Sequence, residues 1–224
     1  AVGGILCAII VCMSIVFGVW TFKNRAVQVI RASQPIFLYI IAIGTLLMGI
    51  SIIPLSVDRG ASNEQGASIA CMAIPWFLAV GFSLIFSALF TKTWRIYTIM
   101  KNAKKFKRIK LTVMDVIKPM AFLLSLNIII LSVWTAVDPL KRNIEIARTD
   151  EFDRTLESYA VCQSEYGRIF LPILLCINLG CLLVTVIQAC RARHISTELS
   201  ESKYILRALW IILYVSLIAV PIII

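Results

Sequence analysis

Residues 69–104 read IACMAIPWFLAVGFSLIFSALFTKTWRIYTIMKNAK, and this stretch decides the fold. Its apolar part begins at Cys71 and ends at Lys92, 21 residues later. A helix of that length would be about 31 Å long, which is close to the ~30 Å thickness of the hydrocarbon core of a bilayer. The stretch therefore predicts a transmembrane helix with a thiol at one membrane face and a positive charge at the other.

The composition of the whole chain also indicates a membrane protein. Of its 224 residues, 60% are hydrophobic and 15% are charged, and the mean hydropathy is +0.91. A soluble domain has about 45–50% apolar and about 25% charged residues, so this chain would expose too much apolar surface in water. The net charge of +10 would suggest nucleic-acid binding in a soluble protein. Here the basic residues flank apolar segments, which is typical of membrane topology, and no nucleic-acid partner is expected.

Six apolar segments are long enough to span a bilayer. They lie at about Val2–Phe22, Pro35–Val57, Ala70–Met100, Val116–Val137, Arg168–Cys190 and Tyr204–Ile224. Because these segments lack the alternation of membrane β-strands, we predict an all-α membrane protein. The third segment is longer than the bilayer is thick, so its helix should continue into the cytoplasm.

Basic residues in the connections predict the orientation, because Lys and Arg mark the cytoplasmic side. From Thr91 to Lys118 there are nine basic residues and one acidic residue, whereas Asp138 to Arg168 has five basic and seven acidic residues. The amino end is therefore expected outside, with the first, third and fifth connections inside. Six spans would leave the carboxyl end outside, and a missing seventh span would bring it in, so we expect a fragment of a longer protein.

The seven cysteines divide between the two sides of the predicted membrane. Only Cys71 and Cys162 fall on the outer side. An even pair in an oxidising compartment predicts a disulfide bond, with two free thiols as the alternative. No metal site is expected, because His194, the single histidine, lies on the other side. The remaining cysteines lie within spans or at an inner edge. For Cys190, at the inner edge, a buried thiol is expected, and palmitoylation is the alternative.

The inner end of the third span carries charges that need water or a partner. Lys92 and Arg95 are three residues apart and therefore share a helix face. A charge at this depth either reaches water by snorkelling or pairs with an acid. Glu201, just before the sixth span, lies at a suitable depth. Pairing of distant helices cannot be read from spacing, so both alternatives stay open on these residues alone.

A basic run, KNAKKFKRIK at 101–110, follows the third span. Its basic residues are Lys101, Lys104, Lys105, Lys107, Arg108 and Lys110. Such a run binds the anionic lipid of the inner leaflet at about 1 kcal/mol per basic residue. Docking of a cytoplasmic protein is the second interpretation. Anchoring at the cytoplasmic face is the more common cause of such a run, and the two roles are compatible.

Signatures of catalysis and of ion transport are absent from the sequence. There is no GxGxxG, Walker loop, HExxH or Ser–His pair, and no Asp, Glu, Lys or Arg lies deep in a predicted span. This argues against a pump, a proton-coupled transporter and an intramembrane hydrolase, so neither enzymatic activity nor a cofactor is expected. The polar residues inside the spans are expected to form hydrogen bonds between helices. They include Asn127, Asn178, Ser83, Ser87 and Ser125.

Four features resemble the transmembrane domain of class C G-protein-coupled receptors, and in particular the metabotropic GABA type B branch. They are CMAIPWFLAVGFSLIFSALFTKTWRI (71–96), WTAVDPL (134–140), the position of Cys162, and RHISTELSESKYI (193–205). The resemblance implies a single domain, residues 1–224, forming a seven-transmembrane-type bundle of which six spans are present. It departs from the family at Asn178, Leu179 and Gly180, where the family usually has Tyr-Lys-Gly.

The resemblance also implies a function. It implies a plasma-membrane receptor that passes the signal of an extracellular ligand to a heterotrimeric G protein. It further implies an ion pair between Lys92 and Glu201 that holds the resting state, a homo- or heterodimer with another class C subunit, and a separate extracellular ligand domain outside this stretch. Arg95 and the basic run would face the G protein or the lipid. The alternative is a multi-span channel or transporter with an incidental likeness, which a polar stripe through several spans would favour; none is visible.

Overall fold

The computed structural model describes residues 2–27, 35–56, 64–103, 113–149, 155–195 and 201–223. Helices and two strands account for most of these residues. They are α1 (Val2–Lys23), α2 (Pro35–Ile50), α3 (Ile52–Ser56), α4 (Glu64–Ala103), α5 (Val113–Val137), β1 (Lys141–Thr149), β2 (Thr155–Gln163), α6 (Gly167–Ile195) and α7 (Glu201–Ile223). A helix lies at each of the six predicted segments, and the all-α membrane bundle is confirmed.

Four of the described helical stretches are long and apolar enough to cross a membrane by length and composition. They are Gly3–Lys23, Pro35–Pro54, Gly66–Arg95 and Gly167–Arg191. Among the residues whose side chains are described, the apolar stretches of α5 and α7 are Ala121–Val137 and Tyr204–Ile218.

The second predicted span is broken into α2 and α3 at Ser51. Pro54 explains the break, because proline lacks an N–H and its ring clashes with the carbonyl four residues earlier, which is that of Ile50. The Ser51 hydroxyl donates to the carbonyl of Met48 at 2.6 Å and therefore satisfies one of the carbonyls at the end of α2. Pro75 and Pro172, by contrast, lie inside the continuous helices α4 and α6.

Helix α4 is the centre of the bundle. It has 40 residues, about 60 Å of helix, and it begins six residues before the predicted third span. The half that contains Cys71, called the outer half after the predicted orientation, packs against α5 and α6 in a cluster of buried residues, Met72, Ala79, Leu131, Trp134 and Leu174. The other half, called the inner half, packs against α6 and α7 in a second cluster, Phe86, Leu182, Val186, Ala189, Leu206, Leu209 and Leu213.

Two glycines allow α2 and α4 to cross in backbone contact. A Cβ atom added at Gly44 would lie 2.8 Å from the carbonyl oxygen of Gly81, and one added at Gly81 would lie 2.8 Å from the carbonyl oxygen of Gly44. Small residues at helix crossings are how membrane helices gain dispersion contacts, since lipid provides no hydrophobic drive for their association. A side chain on either glycine would separate the two helices.

The connection between α5 and α6 contains a β-hairpin, which the sequence analysis treated only as a long outer loop. Strands β1 and β2 pair antiparallel, with Lys141 opposite Gln163 and Arg142 opposite Cys162. The side chains of Asn143 and Gln163 also form a hydrogen bond, 3.0 Å from Nδ2 to Oε1. The hairpin thereby brings Cys162 back toward the outer end of α4.

We predict that Gly81→Ala destabilises the bundle by about 1–3 kcal/mol, because the added methyl group meets rigid backbone and overpacks the crossing. The matched control is Gly180→Ala on α6, where an added Cβ has no atom within 4 Å. Thermal unfolding in detergent, followed by tryptophan fluorescence, compares the two variants. Equal melting temperatures would contradict the close crossing of α2 and α4.

Candidate functional site

The outer end of α4 is held by a disulfide bond. Cys71 and Cys162 are joined with an S–S distance of 2.01 Å and a Cα–Cα distance of 5.6 Å. The predicted bridge is therefore confirmed, and it fastens β2 to α4 across 91 residues of sequence. The other five cysteines are free thiols, with Cys7 buried and Cys190 half-buried.

A hydrogen-bonded network lies beside the hairpin and joins the end of α5 to the start of α6. The indole Nε1–H of Trp134, which is fully buried, donates to the Ser164 hydroxyl at 3.2 Å. That hydroxyl donates to Oδ2 of Asp138 at 2.7 Å, and the backbone N–H of Tyr166 donates to the same oxygen at 3.0 Å. Phe170 on the first turn of α6 stacks on Trp134, with 5.8 Å between ring centroids.

Asp138 is the acceptor on which this network depends. The backbone N–H of Tyr166, and then the Ser164 hydroxyl, stabilise the carboxylate and lower the pKa of Asp138 below its ordinary value of 3.8. Partial desolvation acts in the opposite direction, and Lys141 adds a smaller attraction. The carboxylate also stands just before the amino end of α6, where the helix dipole favours negative charge.

Sequence reasoning identified WTAVDPL only as part of the family likeness and missed this network. A local signal was present. Asp138 directly follows a helix, and residues 164–166 directly precede the next one, which is where side-chain acceptors satisfy unpaired N–H groups. The partners lie 26 to 30 residues apart, however, and only the closed hairpin brings them together.

In the middle of the bundle, Asn127 on α5 and Asn178 on α6 form a reciprocal amide pair. Nδ2 of Asn178 donates to Oδ1 of Asn127 at 3.0 Å, and Nδ2 of Asn127 lies 3.4 Å from Oδ1 of Asn178. Each amide also donates to a carbonyl of its own helix, at Leu123 and Leu174. The expected hydrogen bond between helices is therefore present for the two asparagines.

The same expectation is wrong for the three serines, because the structure assigns their hydroxyls to carbonyls of their own helices. Ser83 donates to Ala79 at 2.7 Å, Ser87 donates to Ser83, and Ser125 donates to Phe122 at 2.9 Å. A hydroxyl on a helix reaches the carbonyl three or four residues earlier without help from another helix. A hydroxyl pair that the sequence analysis missed does connect α1 to α2, since Ser14 and Thr45 lie 3.0 Å apart.

An apolar cavity of about 240 Å³ lies between the amide pair and Trp134. Its walls come from α2, α4, α5, α6 and α7, and they include Met48, Pro75, Phe82 and Leu179. Leu179 stands where the family resemblance would place a lysine. The lining residues carry no ionisable group, so the cavity suits apolar contacts and not proton or ion transfer.

At the inner end of α4, Lys92 and Arg95 are both half-buried. Glu201 is the first residue of α7, but its side chain lies outside the described part of the structure, so the Lys92–Glu201 pair stays a prediction. Lys101 lies in the last turn of α4, and its side chain is likewise not described. The rest of the basic run lies outside the described residues: Lys104, Lys105, Lys107, Arg108 and Lys110.

Among the described ranges, no group of three or more His, Cys, Asp or Glu side chains is placed to hold a metal ion. The contacts that the structure does show in this half of the molecule are hydrogen bonds, a disulfide and apolar packing, and they position the helices relative to one another.

We predict that Asp138→Ala lowers the melting temperature at neutral pH, because it leaves Ser164 and the Tyr166 N–H without their acceptor. A group with a lowered folded-state pKa stabilises the fold above its unfolded-state pKa and loses that contribution as the pH falls through the folded-state value. The difference from wild type should therefore be constant above about pH 5 and shrink below about pH 4.

The control for Asp138→Ala is Glu165→Gln, which removes an exposed carboxylate of the same segment and should change the neutral-pH melting temperature little. Unfolding scans from pH 3 to pH 8 provide the measurement. A difference between Asp138→Ala and wild type that persists unchanged at pH 3 would contradict the role of the charged carboxylate.

Comparison with known proteins identifies the family. The family model described as "7 transmembrane sweet-taste receptor of 3 GCPR" matches residues 1–224. The chain is 30% identical over 213 residues to metabotropic glutamate receptor-like protein E of Dictyostelium discoideum, covering 94% of this chain. It is 30% identical over 203 residues to gamma-aminobutyric acid type B receptor subunit 2 of Homo sapiens (86% of this chain) and 28% identical over 227 residues to subunit 1 of Mus musculus (98%).

These relatives are much longer than the chain, which spans only 24%, 21% and 23% of their respective lengths. The match nevertheless covers the whole chain, from the amino end of α1 to the carboxyl end of α7. It supports the receptor interpretation and gives no support to a channel or transporter. The chain belongs to the class C family of seven-transmembrane G-protein-coupled receptors, with relatives among the GABA type B receptor subunits.

Proposed function

We propose that this chain is the membrane domain of a GABA type B-like receptor, and that it passes the signal of an extracellular ligand to a heterotrimeric G protein. The observation that carries the proposal is the construction of α4. One continuous helix runs from the disulfide at Cys71, past two buried clusters, to the half-buried charges of Lys92 and Arg95. Helix α4 thus connects the disulfide-bonded outer end of the bundle to the charged inner end through one continuous element.

The proposed orientation places the amino end outside and the receptor in the plasma membrane. The Cys71–Cys162 disulfide supports it, because the bond joins the start of α4 to β2 on one side and disulfides persist on the oxidising side of a membrane. The distribution of Lys and Arg supports the same orientation. On this topology, the basic run after α4 and the start of α7 both face the cytoplasm.

The resting state is held by an ion pair between Lys92 and Glu201. The packing above these residues supports the pair. Phe86 on α4 and Leu206 on α7 belong to the same buried cluster. Lys92 follows Phe86 by six residues and Glu201 precedes Leu206 by five, so on antiparallel helices both lie about 8–9 Å inward of that cluster. The two charges are therefore at similar depth on neighbouring helices.

The energy of this pair is suited to a switch. An exposed ion pair contributes about 0–1 kcal/mol, and breaking a fully buried one costs about 3–5 kcal/mol. Lys92 is half-buried, so the pair should fall between these limits. A difference of about 1.4 kcal/mol changes a two-state equilibrium tenfold, which is enough to separate a resting from an active population.

The signal itself originates outside this stretch. The relatives are four to five times longer than the region that they share with the chain, which leaves room for an extracellular ligand domain in the protein proposed here. Two of the relatives are named as receptor subunits, and this supports a homo- or heterodimer with another class C subunit. Reorientation of the outer domains opens the inner pair, and the basic connections then accept the G protein.

We predict that Glu201→Ala raises basal G-protein activation at equal surface expression, because it removes one partner of the resting-state pair. The increase should approach tenfold if the pair contributes about 1.4 kcal/mol. The matched control is Glu198→Ala, an acid three residues earlier in the sequence that has no part in the proposed pair. The double exchange Lys92→Glu with Glu201→Lys should restore part of the low basal activity.

Ligand-independent signalling in a coupling-competent, full-length receptor provides the measurement. Unchanged basal activity in Glu201→Ala, with normal ligand-stimulated activity, would exclude the ion pair while leaving the receptor function intact. Lys92→Ala is a weaker test, since Lys92 also lies at the surface that would face the G protein.

We predict that neutralising Lys104, Lys105, Lys107 and Arg108 together reduces G-protein activation, because the basic run follows the inner end of α4. The conservative control replaces the three lysines with arginine and keeps the charge. Agonist-stimulated nucleotide exchange at equal surface expression provides the measurement. Full activation by the neutralised variant would assign the run to lipid anchoring alone.

A further inference from the structure

An open groove of about 810 Å³ runs down the outside of the bundle between α4 and the end of α5. On α4 its wall extends from Ser68 to Phe77 and includes Met72 and Trp76. The nine helical steps from Ser68 to Phe77 cover about 13–14 Å, close to the ~15 Å thickness of one leaflet of a ~30 Å hydrocarbon core. The length of the groove along α4 is therefore about the thickness of one leaflet.

The groove opens to the lipid. Ile69, which lines it on α4, is 72% exposed on the protein surface, and Met72, Ala73, Trp76 and Phe77 continue the apolar wall along the same helix. An open apolar groove of this kind needs an apolar partner. Because both flanking helices belong to predicted membrane spans, that partner is the hydrocarbon of the bilayer.

The floor of the groove is apolar because its polar atoms are already satisfied. The indole Nε1–H of Trp76 donates to the Thr135 hydroxyl at 3.1 Å, and that hydroxyl donates to the Leu131 carbonyl at 2.7 Å. These bonds also hold α4 and α5 together at the base of the groove. Pro139 and Leu140 complete the wall above Thr135. An occupant of this part gains only apolar contacts.

The outer rim of the groove carries a cation, the exposed Lys141 at the start of β1. Lys141 also lines a second, polar cavity of about 460 Å³, together with Asn143, Gln163 and Arg168. The carboxylates on this cavity are Asp138 and Glu165. Oδ2 of Asp138 already accepts hydrogen bonds from Ser164 and Tyr166. Lys141 adds only a smaller electrostatic attraction to that carboxylate.

We propose that the groove binds a phospholipid, with one acyl chain along α4 and the phosphate on the Lys141 ammonium group. The apolar wall contacts the acyl chain, which enters from the open side. The cation at the rim then lies at the level of the phosphate. The polar cavity beyond Lys141 accommodates the rest of the headgroup. The orientation proposed above assigns this lipid to the outer leaflet, but binding itself does not depend on signalling or on that orientation.

The test is photolabelling of the intact protein in nanodiscs with a phospholipid that carries a diazirine on its acyl chain. Peptides containing residues 68–77 should be labelled well above the exposed face of α1, which is the reference for ordinary surrounding lipid. Lys141→Gln should reduce the groove labelling about fivefold, the effect of one basic residue on an anionic headgroup. Lys118→Gln, which removes the same charge from the other end of α5, should leave it unchanged.

Two further arms identify the ligand chemistry. A diacylglycerol probe with the same acyl chains but no phosphate should label the groove weakly and equally in wild type and Lys141→Gln. Ala73→Phe fills the groove and should reduce labelling by the phospholipid even where Lys141 is intact. Formation of the Cys71–Cys162 disulfide checks the fold of each variant. Labelling of the groove equal to that of α1, and insensitive to both substitutions, would reveal surrounding lipid only and would overturn the proposal.

Discussion

The Cys71–Cys162 disulfide is the constraint on which the outer half of the molecule depends. By fastening β2 to α4, it holds the hairpin over the ends of the spans. The residue that follows β2, Ser164, then lies within hydrogen-bonding distance of Trp134 and Asp138. The start of α6 is thereby fixed to the end of α5. One covalent bond sets the position of four elements that are distant in sequence.

Below the disulfide and the hairpin, the helices are joined in two different ways. Helices α5 and α6 are connected by directional bonds at two depths, at Asp138 and at the Asn127–Asn178 pair. The inner cluster of α4, α6 and α7, which includes Phe86 and Leu209, is built from apolar side chains. Apolar contacts are less sensitive to small rotations than hydrogen bonds are. This apolar cluster therefore tolerates a small change of helix position better than the two hydrogen-bonded contacts do.

The outer half of α4 uses two faces for different environments. Pro75, Ala79 and Phe82 line the apolar cavity between the helices, whereas Met72 and Trp76 line the open groove between α4 and α5. Both spaces lie within three turns of the disulfide. A change in the position of this helix segment would alter the internal cavity and the lipid groove together.

The sequence by itself determined the class of protein, the helical segments, the bridging cysteines and the family. Each of these depends on a property of one segment, such as its hydropathy or its flanking charge. The bridge depends on the side of the membrane on which Cys71 and Cys162 are expected, because disulfides form on the oxidising side. Only the tertiary structure decided the contacts that require two distant segments: the Gly44–Gly81 crossing, the Asp138 network and the hairpin register. The Ser83 and Ser87 hydroxyls show the same limit, because a polar residue in a span signals that a hydrogen bond must exist but not which carbonyl receives it. Pairing depends on how helices pack, and packing is a property of the whole bundle.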